Sequence, residues 1–258
     1  MLERERERER ESKKFHGLGF TLIELSIALV IIGLVVGGIM VGNSMILASQ
    51  MRNTYSQIVR YETAINTFRT KYNQLPGDMN NATAFFPTSP SCASTITIVL
   101  NATCNGDGNG QIVFAYTSPV EVYSFWQHLA MAGLIEGNFA YIRLPSTGGI
   151  QDGFNAVGTP WNNSLISIFL GTGNMMPING REYFIIGGIT RDTGATWAWD
   201  NNIPSSEAFS FDTKFDDGQK LSGRIQGRNL NYPPFTSNPC NYSSTQNSAC
   251  YLTYDLKF

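Results

Sequence analysis

Histidine is almost missing from this chain of 258 residues: there are two, His16 and His128. Neither sits in a G-x-S-x-G context, and no G-x-x-x-x-G-K-S/T string occurs, so neither a nucleophile elbow nor a phosphate loop is offered. No catalytic constellation emerges, and an enzyme is not expected. Charge is scarce as well, at 15% of residues with a formal net charge of −2. A basic footprint for nucleic acid is therefore absent, and no nucleic-acid partner is expected. Proline is missing until Pro76, which leaves the first third of the chain free to form uninterrupted helix. Cysteine is missing until Cys92; the four cysteines are Cys92, Cys104, Cys240 and Cys250. None has C-x-x-C spacing and no histidine lies near them, which argues against zinc. Two sequence-local pairs in an exported domain favour two disulfides. Of the three possible pairings, Cys92–Cys104 with Cys240–Cys250 is the expected one.

What the chain does have is a long apolar run, FTLIELSIALVIIGLVVGGIMVG, over residues 20–42. As a helix it is long enough to cross a hydrocarbon core of roughly 30 Å. Before it stands a polar start, MLERERERERESKKFHGLG, with Glu-Arg alternation and nothing to bury, expected to lack structure. Lys13 and Lys14 place that side in the cytoplasm and deliver the rest of the chain to the outer face. The run is too long for a signal-peptide core, and the small residue suited to cleavage precedes it. Glu24 lies inside the run. A carboxylate there is costly unless partnered, and cleavage after Gly19 would free an amine on Phe20 about one helical turn away.

The string Gly19-Phe20-Thr21-Leu22-Ile23-Glu24-Leu25 resembles the cleavage and methylation motif of type IV prepilins and type II secretion pseudopilins. The resemblance implies that Gly19 precedes the cut, that Phe20 is the new, methylated first residue, and that Glu24 is the assembly carboxylate. It implies a prepilin peptidase, an inner-membrane assembly platform, and copies of the chain or other pilin-like subunits as partners. It also implies residence in a bacterial inner membrane with the head outside the cytoplasm, then in a periplasmic or cell-surface filament. Two strings in the head, Phe125-Trp126-Gln127-His128-Leu129 and Asp212-Thr213-Lys214-Phe215-Asp216-Asp217-Gly218, resemble large pilin-like subunits more weakly.

Beyond the run, Leu47, Met51, Tyr55, Ile58, Tyr61, Ile65, Phe68 and Tyr72 recur at steps of three or four, one apolar stripe on a helix. Leu75-Pro76-Gly77-Asp78 should stop it. The expected fold is α+β: one helix from Phe20 to Tyr72, half in the membrane and half packed on an antiparallel sheet. The organisation is a leader at 1–19, a hydrophobic helix at 20–45, an amphipathic continuation at 46–75 and a head at 76–258. Within the head, residues 123–135 read as an amphipathic helix and Ser206–Asp217 as a second, capped by Gly218. Strands are expected at Phe139–Leu144, Leu165–Leu170 and Tyr183–Ile189, with weaker signals at Trp197–Trp199 and Gly223–Gly227. Tyr251–Phe258 should close a sheet edge.

Two acidic segments are candidates for a cation. Asn105-Gly106-Asp107-Gly108-Asn109-Gly110-Gln111-Ile112 follows the first eight positions of a calcium loop, with ligands expected from Asn105, Asp107, Asn109 and Gln111. Its twelfth position is Tyr116, so Glu121 would have to fold back as the remaining carboxylate. Affinity would be weak, about millimolar. The alternative is a plain glycine-rich turn. Asp212, Asp216 and Asp217 form the second, weaker candidate; Asp212 and Asp216 share a face if their segment is helical. His128, beside Trp126 and Leu129, is expected to be a packing residue.

The charge is unevenly placed. Residues 43–72 hold Arg52, Arg60, Arg69 and Lys71 against Glu62 alone, whereas from residue 73 onward there are eight basic and thirteen acidic side chains. A basic stem and an acidic head could attract one another between neighbouring subunits. The functional readings are a filament subunit (pilin or secretion pseudopilin) or, alternatively, a membrane-anchored binding or adhesin module that does not polymerise.

Overall fold

The computed structural model describes residues 20–89, 99–100, 102–113, 121–141, 152–153, 156–170, 180–188, 201–231, 236–242 and 249–257. The expected leader with Gly19, the strand signal at Trp197–Trp199, and Cys92 lie outside the described residues, as do parts of the signals at Phe139–Leu144, Tyr183–Ile189 and Tyr251–Phe258.

Helix α1 spans Leu22–Tyr72, 51 residues without interruption. No proline falls inside it, and its glycines (Gly33, Gly37, Gly38, Gly42) are confined to the apolar half. It ends at Asn73, whose φ of 55° places it in the left-handed region and whose N–H bonds the Arg69 carbonyl at 2.8 Å. Asparagine is the residue after glycine best suited to that cap. Gly77, at φ 91°, then lets the chain pass under the first residue of the next helix: a Cβ there would lie 2.5 Å from the Glu121 carbonyl oxygen.

The chain divides after Ala48 into two compact units. In the first unit α1 is exposed and, Ser26 apart, apolar around its whole circumference from Leu25 to Val41. Its serines do not break that character: Ser26 and Ser44 each donate to a carbonyl three residues back, at 2.8 Å. By length and composition this half can cross a bilayer.

The second unit, from Ser49, is a helix-on-sheet domain. The part of α1 within it buries Met51, Thr54, Ile58, Tyr61, Ala64, Ile65 and Phe68, spaced three and four apart. Tyr55 and Tyr72, also on the expected stripe, are half-buried. Helix α2 (Glu121–Met131) and helix α3 (Ser205–Phe215) complete the helical part. Strands β1 (Val99–Leu100) and β2 (Ala140–Tyr141) make a small ladder of their own. The main sheet contains β3 (Val157–Gly158), β4 (Leu165–Leu170), β5 (Glu182–Gly187), β6 (Ile203–Pro204), β7 (Ile225–Asn231), β8 (Thr236–Pro239) and β9 (Ala249–Asp255). Its order is β3-β4-β5-β9-β7-β8, antiparallel at every pairing, with β6 against the start of β9.

The expected mixture of helix and antiparallel sheet is present, with corrections of detail. The carboxy-terminal strand β9 is central rather than at an edge: it pairs with β5 on one side and with β7 on the other. Six of its seven residues are buried, because both neighbours and α3 cover it. Helix α2 starts at Glu121 and ends at Met131 rather than running over residues 123–135. Gly133, at φ 71°, terminates it by bonding the Ala130 carbonyl, and Leu134 reaches back to Leu129. Helix α3 and strands β4 and β5 fall close to the expected positions.

Aromatic rings join the layers. Trp126 of α2 stacks on Phe184 of β5 at 5.8 Å and meets Tyr61 of α1 edge-on at 5.0 Å. Phe215 of α3 stacks on Tyr55 at 4.3 Å, and Trp161 stacks on Phe211 at 4.8 Å. A polar tie reinforces the seam. Glu62 pairs with Arg224 and accepts from the Tyr254 hydroxyl at 2.9 Å, while the Arg224 guanidinium lies 4.4 Å from the Tyr254 ring centre. Cys240 and Cys250 are joined in a disulfide, as expected. The expected Cys92–Cys104 pairing lies outside the described residues on the Cys92 side; Cys104 itself is buried.

Candidate functional site

Three places bring together residues that the sequence marks for function. The first is the start of α1. Thr21 precedes the first helical residue, and Glu24 is the third within it. The Glu24 carboxylate accepts from the Thr21 N–H at 2.9 Å and from the Thr21 hydroxyl at 2.8 Å. The Glu24 N–H in turn points at the Thr21 hydroxyl at 3.3 Å. This reciprocal arrangement is a capping box, and T-x-x-E is its sequence signature. The sequence reading considered only an amine as the partner of Glu24; the Thr21 contribution was visible in the three-residue spacing. Phe20 is exposed just ahead of the helix.

The second place is an acidic cluster at the far end of α1. Asp78, Asp107 and Glu121 each bring one carboxylate oxygen within 4.8 Å of the others. Three separate elements deliver them: the turn that ends α1, the glycine-rich loop, and the first residue of α2. Asp78 is the residue that the sequence reading missed. It belongs to the Pro76-Gly77-Asp78 stop signal, and nothing in its local pattern sets it apart from an ordinary turn aspartate.

The loop at 105–111 wraps around the Asp78 carboxylate. Gly108 and Asn109 donate to Oδ1 at 2.8 and 3.0 Å, and Gly110 donates to Oδ2 at 2.9 Å. Successive N–H groups converging on one anion form a backbone nest. Glu121 accepts from the Asp107 N–H at 3.0 Å through Oε1 and from the Val113 N–H at 2.8 Å through Oε2. It therefore does fold back to the loop as the sequence reading required. The amides behave differently. Asn105 turns away, accepting from the Thr83 N–H at 2.9 Å, and Asn109 accepts from the Gln111 N–H at 2.8 Å. Of the expected ligands, Asp107 and Glu121 meet in this carboxylate cluster.

Two of these carboxylates, Glu121 and Asp78, have their proton affinity raised. Glu121 is pushed up to about 7, first by desolvation and then by the negative charges of Asp107 and Asp78, against the opposing N–H donors. Asp78 is also raised, chiefly by burial. Three carboxylates this close can share a proton or hold a divalent cation. A hollow lined by Asn66, Arg69, Thr70, Asn73, Gln74 and Asp78 opens beside them.

Asp212, Asp216 and Asp217 also lie within 4.8 Å of one another. Each is already engaged in shaping the α3–β7 connection. Asp212 accepts from the Tyr242 hydroxyl at 2.9 Å and from the Gly218 N–H at 3.1 Å. Asp216 accepts from the Ile225 N–H at 2.8 Å, and Asp217 accepts from Gln219 N–H at 2.8 Å and from the Ser222 hydroxyl at 2.6 Å. Burial raises the Asp212 carboxyl to about 6 and raises the Tyr242 phenol as well.

His128 is fully buried against Phe68 and Phe86. Its Nδ1 accepts from the Gly77 N–H at 2.9 Å, which places the proton on Nε2, 2.8 Å from the Thr103 hydroxyl oxygen. It is the packing residue that the sequence reading has it to be, and it ties α2 to the turn that carries Asp78.

The chain matches no protein-family model, no curated protein and no solved structure.

Proposed function

We propose that this protein is a structural subunit of a type IV pilus-like filament. In this reading prepilin peptidase cuts after Gly19, and Phe20 becomes the methylated amino terminus. The subunit waits in a bacterial inner membrane with its head outside, then passes through an inner-membrane platform into a filament of copies of itself and other pilin-like subunits. The observation that carries the reading is the first half of α1, apolar on all sides, exposed along its length and opening on a carboxylate. A helix apolar all round must be buried in lipid or among other helices. In lipid the Thr21–Glu24 box satisfies the carboxylate within one chain. In a filament, the amine that proteolysis releases on Phe20 supplies a full counter-charge from the same or a neighbouring subunit.

We further propose that Asp78, Asp107 and Glu121 hold a calcium ion, Asp78 joining the two carboxylates expected from the sequence. The ion would offset the burial and the carboxylate repulsion that raise Glu121, and would pin the loop to the end of α1. Asp212, Asp216 and Asp217 are the lesser candidates.

The test of the filament reading is Glu24→Ala in the full-length protein. Filament incorporation should fall by tenfold or more while the processed subunit stays in the membrane with its head folded. Undiminished function in the variant would favour an anchored binding module that does not polymerise.

A further inference from the structure

The hollow beside the carboxylate cluster is formed by the end of α1 and the glycine-rich loop. Its volume of about 480 Å³ falls within the roughly 300–1,000 Å³ of small-ligand sites. Asn66, Arg69, Thr70 and Asn73 make up its helical wall. At 3.6 residues per turn these four lie within an arc of about 100°, so a single face is turned to the hollow. The loop contributes Gly108 and Gly110, which present no side chain. Nothing stands within 4 Å of where a Cβ on Gly110 would be, so a ligand can lie close against the backbone there. Among the described residues of the lining, Leu75 alone has an apolar side chain. The hollow therefore offers hydrogen bonds and little else.

Those hydrogen bonds are of a particular kind. Asn66 and Asn73 are exposed, and among the described residues neither side-chain amide forms a hydrogen bond. Each amide sets a donor beside an acceptor. The Thr70 hydroxyl donates to the Asn66 carbonyl at 2.8 Å, which leaves its oxygen free to accept. Gln74 is fixed at both ends, accepting from the Asn80 N–H at 2.8 Å and donating to Asn81 at 2.9 Å, so the turn that closes the hollow is held in place. Charge is balanced within the fold. Burial raises the proton affinity of Glu182, and the nearby Arg69 charge opposes that rise, while the Asp78 carboxylate lines the hollow itself. We propose that this hollow binds a saccharide unit, a neutral ring whose adjacent hydroxyls each donate and accept. Vicinal hydroxyls match the paired donor and acceptor of an amide. An ionic ligand gains little where the one cation already faces two acids, and an apolar ligand finds only Leu75. The inference is independent of the filament reading, since every residue in it belongs to the unit that begins at Ser49.

The experiment uses the full-length chain in lauryldimethylamine oxide, a detergent without a sugar headgroup. Glucose, galactose, mannose and N-acetylglucosamine are titrated singly and followed by saturation-transfer NMR. At least one should bind, with a Kd on the order of millimolar. Asn66→Leu/Asn73→Gly should weaken that binding by tenfold or more. Glycine suits the left-handed backbone of Asn73 and both side chains are exposed, so the melting temperature should hold. Should the double variant melt lower, Asn66→Leu alone decides, with weaker binding expected. Thr63→Ala, on the same helix but outside the hollow, should bind as wild type does. No binding by any of the four sugars would overturn the proposal. So would binding that Asn66→Leu leaves untouched, or tighter binding of glycine or N-acetylglycinamide than of every sugar. Glu24→Ala should bind sugar as wild type does whatever becomes of filaments, so the two readings fail separately.

Discussion

At the scale of single residues, buried polar groups set how this head responds to pH. His128 is held neutral, its affinity for a proton lowered to about 4 by burial. In the unfolded chain a histidine titrates near 6.5. Between those values the unfolded state binds the proton more readily, so stability present above about pH 6.5 is lost as pH falls toward 4. Melting temperature measured down that range should fall, and His128→Gln should flatten the slope. A slope identical in the variant would remove His128 as its cause. Glu121 runs the other way. Its folded value is raised to about 7 from an unfolded value of 4.5, so its contribution is present below pH 4.5 and is lost as pH rises through 7. Calcium at its carboxylate would compete with that proton. Added calcium should therefore raise the melting temperature more at pH 8 than at pH 5.5, and Asp107→Ala should abolish the effect. No calcium-dependent shift at either pH in the wild type would end the calcium proposal.

At the scale of elements, the seam between the α1 stem and the sheet depends on one carboxylate with two partners. Removing it by Glu62→Ala would leave the buried Tyr254 hydroxyl without its acceptor and Arg224 with only its bonds to the Asp255 carbonyl, at a cost of about 1–3 kcal/mol. Chemical denaturation of the head should register that loss, whereas Thr63→Ala on the open face should change little. Much of this level was legible beforehand. The uninterrupted helix followed from missing proline and a stripe at three- and four-residue steps, and β4 and β5 followed from apolar runs bounded by turns. What was not legible depends on contacts distant in sequence. Nothing in Tyr251–Asp255 states that two strands will flank it, so β9 reads as an edge and proves central. Asp78 could not be joined to Asp107 and Glu121, because their meeting is set by where α1 stops and α2 begins. The calcium-loop pattern names Asn105 and Asn109, but it shows neither the N–H groups they accept from nor the turn aspartate that joins Asp107 and Glu121.

At the scale of the whole molecule, one continuous helix joins an apolar, exposed half to a half that packs under a seven-stranded sheet. The leader-side sequence and the acid at Glu24 give that helix its proposed use: anchorage first, then assembly. The central claim turns on a bond that proteolysis would break, since the counter-ion of Glu24 exists only if the chain is opened ahead of Phe20. Mass spectrometry of the amino-terminal peptide of the mature protein tests this most directly. The account predicts a first residue of phenylalanine, at Phe20, carrying one added methyl group. A mature chain that retains its first nineteen residues, or begins at any other position, would contradict it.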